Sequence, residues 1–101
     1  MTEPHLNTAV LARREARGDI SRIAAAHGAR NLRVFGSASR GEPEAHDLDL
    51  LVEMATDRNL FDLIALSQEL EDTLGIGVDV LTEAGLSPYL RERILAEAVP
   101  L

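Results

Sequence analysis

The chain has 101 residues, of which 46% are hydrophobic, and a formal net charge of −7 at pH 7. This length predicts one small domain over residues 1–101, and no membrane association is expected because no apolar run approaches the roughly eighteen residues of a membrane span. The acidic charge disfavours direct binding to nucleic acid, and the absence of cysteine and of a signal-like N-terminus favours a cytoplasmic protein.

The first half of the chain alternates between helical and strand patterns. Residues 7–27 carry apolar side chains at three- and four-residue spacings, which predicts an amphipathic helix that ends at Gly28. Residues 32–35 predict a short strand, residues 37–41 a short helix, and residues 47–52 a second strand with its apolar side chains on one face. A helix followed by two strands is therefore expected, with a short helical turn between the strands.

The second half of the chain predicts two further helices around a third strand. Asp57 is the expected N-cap of a helix over residues 60–74. Residues 77–81 predict the third strand, and Ser87 followed by proline predicts the start of a last helix that points Leu90 inward. This order of elements predicts an α/β fold in which helices pack on a small sheet.

Two aspartates at alternate positions of the second strand are the strongest chemical signal. Asp47 and Asp49 point to the same face of a strand, and two like charges held this close repel unless a cation neutralises them. Asp79 in the third strand can join them if the two strands are neighbours, and a lone carboxylate there would be costly to bury. Three carboxylates around one point would hold two Mg²⁺ ions roughly 3.5–4 Å apart, so Asp47, Asp49 and Asp79 are the expected metal ligands.

A glycine turn precedes this acidic strand. Gly36 and Ser37 stand at the expected start of the short helix, where backbone N–H groups and a hydroxyl form a cradle for phosphate. Arg40 lies one turn into the same helix and could reach the phosphates. The chain contains no lysine, which excludes a P-loop and Schiff-base chemistry. Gly36, Ser37 and Arg40 are therefore the expected residues that bind a nucleoside triphosphate.

These motifs together resemble the minimal nucleotidyltransferase (MNT) domain of the DNA polymerase β-like nucleotidyltransferase superfamily. The resemblance covers residues 32–101 and rests on Gly36-Ser37-Ala38-Ser39-Arg40-Gly41, His46-Asp47-Leu48-Asp49 and Asp79. His46 stands where Ser or Thr is usual in the family and Ser39 where Ala is usual, and neither change removes a metal ligand. The resemblance implies a polymerase β-like palm fold with a small mixed sheet, in which Asp47, Asp49 and Asp79 are catalytic.

The resemblance also implies a partner and a reaction. Proteins of this family pair with HEPN-domain toxins in toxin–antitoxin modules, and some resemble enzymes that place AMP from ATP on a tyrosine hydroxyl of the toxin, a ribonuclease. The implied function is a Mg²⁺-dependent adenylyltransferase that acts as the antitoxin and could form a hetero-oligomer with its HEPN partner. Asp47 and Asp49 would hold both ions, and Asp79 would hold the ion that activates the hydroxyl.

Two other functions remain open at this point. The first is a catalytically weak or inactive module with the same fold, which neutralises its partner sterically; a charge of −7 would suit the basic surface of a ribonuclease. The second is a transferase that acts on a small molecule such as an antibiotic. The short chain argues against the second function, because a further domain would be needed to bind such a substrate.

Overall fold

The computed structural model describes residues 14–36 and 47–101. In chain order these residues form helix α1 (Arg14–Ala26), strand β1 (Ala29–Phe35), strand β2 (Asp47–Met54), helix α2 (Leu60–Leu74), strand β3 (Gly77–Thr82), a 3₁₀ turn (Glu83–Gly85), helix α3 (Pro88–Glu97) and strand β4 (Val99–Pro100). The predicted short helix over residues 37–41 lies outside the described residues. Within the two described ranges, no helix is long and apolar enough to cross a membrane.

The strands form a mixed sheet in the order β3-β2-β1-β4, which confirms the predicted fold class. Strand β2 runs antiparallel to β1 and parallel to β3, and β4 pairs antiparallel with the other edge of β1. The parallel pairing requires a crossover, and α2 supplies it between the end of β2 and the start of β3. The sequence pattern does not predict β4, because a two-residue strand is too short to show alternation.

The main core lies on one face of the sheet. Alternate residues of β2 point to this face, and Leu48, Leu50 and Val52 are completely buried beneath α1 and α2. Burying each of these side chains stabilises the fold by about 1.5–3 kcal/mol. A smaller apolar cluster on the opposite face joins Leu51 of β2 to Ile94 of α3. The sheet is thus covered by α1 and α2 on one face and partly by α3 on the other.

Helix α2 has the predicted bounds but a different N-cap. The side chain of Asn59, rather than that of Asp57, accepts hydrogen bonds from the backbone N–H groups of Phe61 at 2.9 Å and Asp62 at 3.3 Å. The carboxylate of Asp62 accepts the N–H of Asn59 in return at 3.0 Å, and this bond, together with Arg58, lowers the pKa of Asp62. The expectation for Asp57 is wrong because the N-cap is the residue directly before the first helical residue, and Asn59 holds that position before Leu60.

Helix α3 begins as expected, with Ser87 at the N-cap position and Pro88 at the first helical position. Ile94 is buried, but Leu90 is half-exposed, so the prediction that Leu90 points inward is wrong. Only part of this short helix contacts the sheet, and the buried side of α3 is centred on Ile94. The ion pair between Arg33 of β1 and Glu83 of the 3₁₀ turn, 2.6 Å long, ties the chain before α3 to the same face of the sheet.

Candidate active site

The pairing of β2 with β3 brings the predicted aspartates onto one face of the sheet. In this parallel pair Asp49 is directly opposite Asp79, and Asp47 is opposite Gly77. Paired residues of neighbouring parallel strands point to the same face about 4.8 Å apart. Asp47 and Asp79 are exposed and Asp49 is partly buried. Three carboxylates therefore occupy adjacent positions at one end of β2 and β3, on the face opposite the main core.

Gly36 makes room for one of these carboxylates. It follows β1 directly with a φ of +71°, a conformation that L side chains rarely adopt. A Cβ atom placed on Gly36 would lie 2.5 Å from Oδ2 of Asp49, which is closer than real Cβ atoms come. The sequence predicts that Gly36 belongs to a phosphate-binding turn. The structure gives it a second reason to be glycine, namely the position of Asp49.

Gly77 has the same relation to Asp47, and the sequence pattern did not single it out. A Cβ atom on Gly77 would collide with Oδ1 of Asp47 on the neighbouring strand. Glycine at the start of a strand often marks a close approach by another group, so Gly77 before Val78 and Asp79 was the available signal. Both aspartates of β2 thus lie against glycines from the two strands beside them.

The donor atoms at this site suit Mg²⁺. Carboxylate oxygens are the ligands that Mg²⁺ prefers, and Asp47 and Asp49 present them at alternate positions of one strand, with Asp79 opposite Asp49. Across residues 14–36 and 47–101, however, the side chains of histidine, aspartate and glutamate form no group of three arranged to hold a metal ion. The structure therefore places the three aspartates as neighbours, while their convergence on one point stays a prediction.

The phosphate-binding half of the predicted site is only partly described. Gly36 is in place beside Asp49, whereas Ser37 and Arg40 lie outside the described residues, as does His46. The roles proposed for Ser37 and Arg40 in binding a nucleotide therefore stay predictions from the sequence.

An open cleft adjoins the acidic face, and sequence reasoning did not anticipate it. The cleft has a volume of about 570 Å³ and runs between α2 and the exposed edge of β3. Asp49 and Asp79 are among its lining residues, and so are Leu60, Ile64 and Leu81, which are apolar and exposed. The carboxylates therefore border a space large enough for a substrate group.

Comparison with known proteins gives a consistent family match. The family model of the nucleotidyltransferase domain matches residues 14–101. Two proteins of Methanocaldococcus jannaschii, each named as a candidate protein adenylyltransferase, are 47% and 36% identical to this chain. The first alignment covers 72% of this chain and 80% of the relative, and the second covers 64% and 68%.

Solved structures share the fold. A structure named as a candidate minimal nucleotidyltransferase superposes with a TM-score of 0.78 at 46% identity, and covers 91% of this chain and 95% of its own. A toxin–antitoxin structure with AMP-PNP gives a TM-score of 0.70 at 21% identity over 82% of this chain and 69% of its own. A complex of tri-AMPylated Shewanella oneidensis HEPN toxin with MNT antitoxin gives 0.64 at 20% identity over 82% and 66%. At these lower identities the likeness concerns the fold alone.

Proposed function

Because the chain belongs to the nucleotidyltransferase domain family, and within it to the minimal nucleotidyltransferases, we propose that it transfers AMP from ATP to a tyrosine hydroxyl of a HEPN-domain ribonuclease toxin and thereby acts as the antitoxin. Transferase activity follows from the family and from the relatives named for protein adenylylation. The HEPN partner is proposed because the solved toxin–antitoxin complexes share this fold. The observation that carries the proposal is the strand pairing that sets Asp49 opposite Asp79, with Asp47 two residues away on the same strand.

In this proposal the three aspartates divide the work of the site. Asp47 and Asp49 would hold Mg²⁺ with Asp79 beside them, and bound Mg²⁺ would lower the pKa of the acceptor hydroxyl and offset charge on the triphosphate. Asp79 lies on the edge strand of the sheet and lines the cleft, and we assign to its carboxylate the acceptance of the proton from the hydroxyl. The hydroxyl oxygen then bonds to the α-phosphorus as the bond to pyrophosphate breaks.

The residues around the aspartates orient these groups. Gly36 leaves space for the carboxylate of Asp49, and Gly77 does the same for Asp47. We assign to Ser37, with the backbone of the Gly36 turn, the binding of the β- and γ-phosphates, and to Arg40 the neutralisation of charge on the leaving group. Hydrogen-bond donors that are fixed in position before the reaction stabilise the transition state, because they need no reorganisation while charge develops.

A label-transfer assay tests the proposal. The chain is mixed with the product of the neighbouring gene, Mg²⁺ and α-³²P-labelled ATP, and labelled partner is expected. Asp47→Asn and Asp49→Asn keep the size of the side chain but remove its charge, so we expect them to abolish most of the transfer. Asp57→Asn, an exposed change outside the site, is the matched control. Undiminished transfer by the Asp49 variant would refute the assignment.

The binding module is the second candidate, and the charge of −7 favours it. In that case the chain would neutralise its partner by covering a positively charged surface, without transfer of a nucleotide. Protection of cells from the toxin by Asp49→Asn decides between the two, because a steric antitoxin keeps its activity in that variant and an adenylyltransferase loses it.

A further inference from the structure

Exposed apolar side chains border the candidate active site. Leu60 and Ile64, on the first half of α2, are 66% and 45% exposed, and Leu81, on the edge strand β3, is 39% exposed. All three line the cleft that also contains Asp49 and Asp79. Apolar side chains left in water next to reactive carboxylates are typical of a surface that another molecule covers.

The charged groups of this cleft have one sign. Asp49, Asp79 and Glu71 line it, and no arginine is among its lining residues within the described parts of the chain. In the proposed function Asp49 and Asp79 lie at the Mg²⁺ site, so the carboxylate that remains to attract a positively charged partner is Glu71 of α2. A protein segment that places a positive charge near Glu71 is therefore a favourable occupant.

The shape of the cleft indicates how an occupant would lie. At one end α2 is tied to the edge of β3, because Ser67 Oγ donates to the carbonyl of Val78 at 2.5 Å and Glu71 accepts the N–H of Val78 at 3.3 Å. Further along, toward Leu60 and Leu81, the same helix and strand border the open cleft. The apolar walls are thus at the open end, and Asp79 lies one residue from the closed end.

We propose that this cleft binds the acceptor segment of the partner protein. The segment is positively charged, places apolar side chains against Leu60, Ile64 and Leu81, and presents its hydroxyl beside Asp79. This inference rests on the proposed function for the reaction that follows docking, but docking itself can be measured without transfer. A partner that anchors apolar groups here gains both contact area and orientation of the hydroxyl.

Matched substitutions on α2 test the apolar contacts. Leu60→Asn and Ile64→Asn change cleft residues, and Phe61→Asn changes a neighbouring residue that is 80% exposed but does not line the cleft. Exposed positions of this kind leave the core intact. We expect the first two variants to raise the KM for the HEPN-domain partner about tenfold, with the Kd for ATP unchanged, and Phe61→Asn to leave both values unchanged.

A second set of variants tests the charge of the occupant. Gln68→Arg places a positive charge in the cleft, and Thr73→Arg adds the same charge on an exposed part of α2 outside it. We expect Gln68→Arg to raise the KM for the partner and Gln68→Glu to lower it, while Thr73→Arg has little effect. The KM of the unmodified chain should also rise with ionic strength, because salt screens the attraction.

The outcomes separate this inference from the proposed function. Wild-type KM values in Leu60→Asn and Ile64→Asn, with transfer intact, would overturn the inference and leave the function standing. If the unmodified chain labels no partner, the proposed function is refuted, and calorimetric titration of the partner with the same variants then tests the docking. An affinity for the partner about tenfold weaker in Leu60→Asn and Ile64→Asn supports docking in the cleft, and an unchanged affinity overturns it. A dimer of the chain alone that Ile64→Asn converts to monomers would also overturn it, because the occupant would be a second copy.

Discussion

Replacing Gly36 with alanine should have two effects, namely strain in the backbone and displacement of the carboxylate of Asp49. The φ of +71° at Gly36 costs an alanine about 1–2 kcal/mol, which lowers the melting temperature by roughly 5–10 °C for a chain of this size. The added Cβ atom would also lie 2.5 Å from Oδ2 of Asp49. The carboxylate must then move by about 1 Å, and a displacement of that size near a reaction centre can reduce the rate about a hundredfold.

Gly75 supplies the control for this experiment. It ends α2 with a φ of +74°, and a Cβ atom there would meet nothing within 4 Å. Gly75→Ala should therefore show the backbone cost of about 1–2 kcal/mol alone and keep its activity, whereas Gly36→Ala adds the displacement of Asp49. Circular dichroism during heating measures the stability of each variant, and label transfer at a temperature where both are folded measures activity. Equal activity of Gly36→Ala and Gly75→Ala would refute the role assigned to Gly36 in placing Asp49.

Three further predictions concern the scaffold. Leu50→Ala should lower the free energy of unfolding by about 2–5 kcal/mol in urea titrations, because Leu50 is completely buried in the main core. Glu83→Gln should cost about 1–3 kcal/mol, since it removes the charged partner of the mostly buried Arg33. Because the pKa of Asp62 is lowered, its carboxylate stabilises the fold at pH values above its ordinary pKa of 3.8, and this stabilisation is lost as the pH falls through the lowered pKa. Asp62→Asn should therefore make the free energy of unfolding less dependent on pH in that range.

Each of these variants has a matched control on the same protein. Leu90→Ala removes a half-exposed leucine, Glu92→Gln neutralises an exposed glutamate of α3, and Asp72→Asn neutralises an exposed aspartate of α2. The controls should change stability by less than about 1 kcal/mol. If Leu50→Ala or Glu83→Gln cost no more than its control, or if Asp62→Asn and Asp72→Asn gave the same pH dependence, the corresponding contact would not contribute as described.

Local signals in the sequence determined most of the helices and strands, and they also determined that Asp47 and Asp49 share one face of β2. The leucine spacing and Gly75 predicted the bounds of α2, because both act within a few turns of one helix. Period-two alternation likewise placed Asp47 and Asp49 on the same face of β2, where the structure has them. These features depend on neighbours along the chain, so they can be recognised without knowledge of the fold.

Tertiary structure decided which distant residues meet. The register that sets Asp49 opposite Asp79 depends on the crossover through α2, and the sequence could state it only as a condition. The contact of Gly77 with Asp47, the position of the N-cap at Asn59 and the cleft beside Leu60 follow from the same packing. The physical reason is that periodicity reports how a segment divides between core and solvent, whereas strand register is selected by the packing of all the segments together.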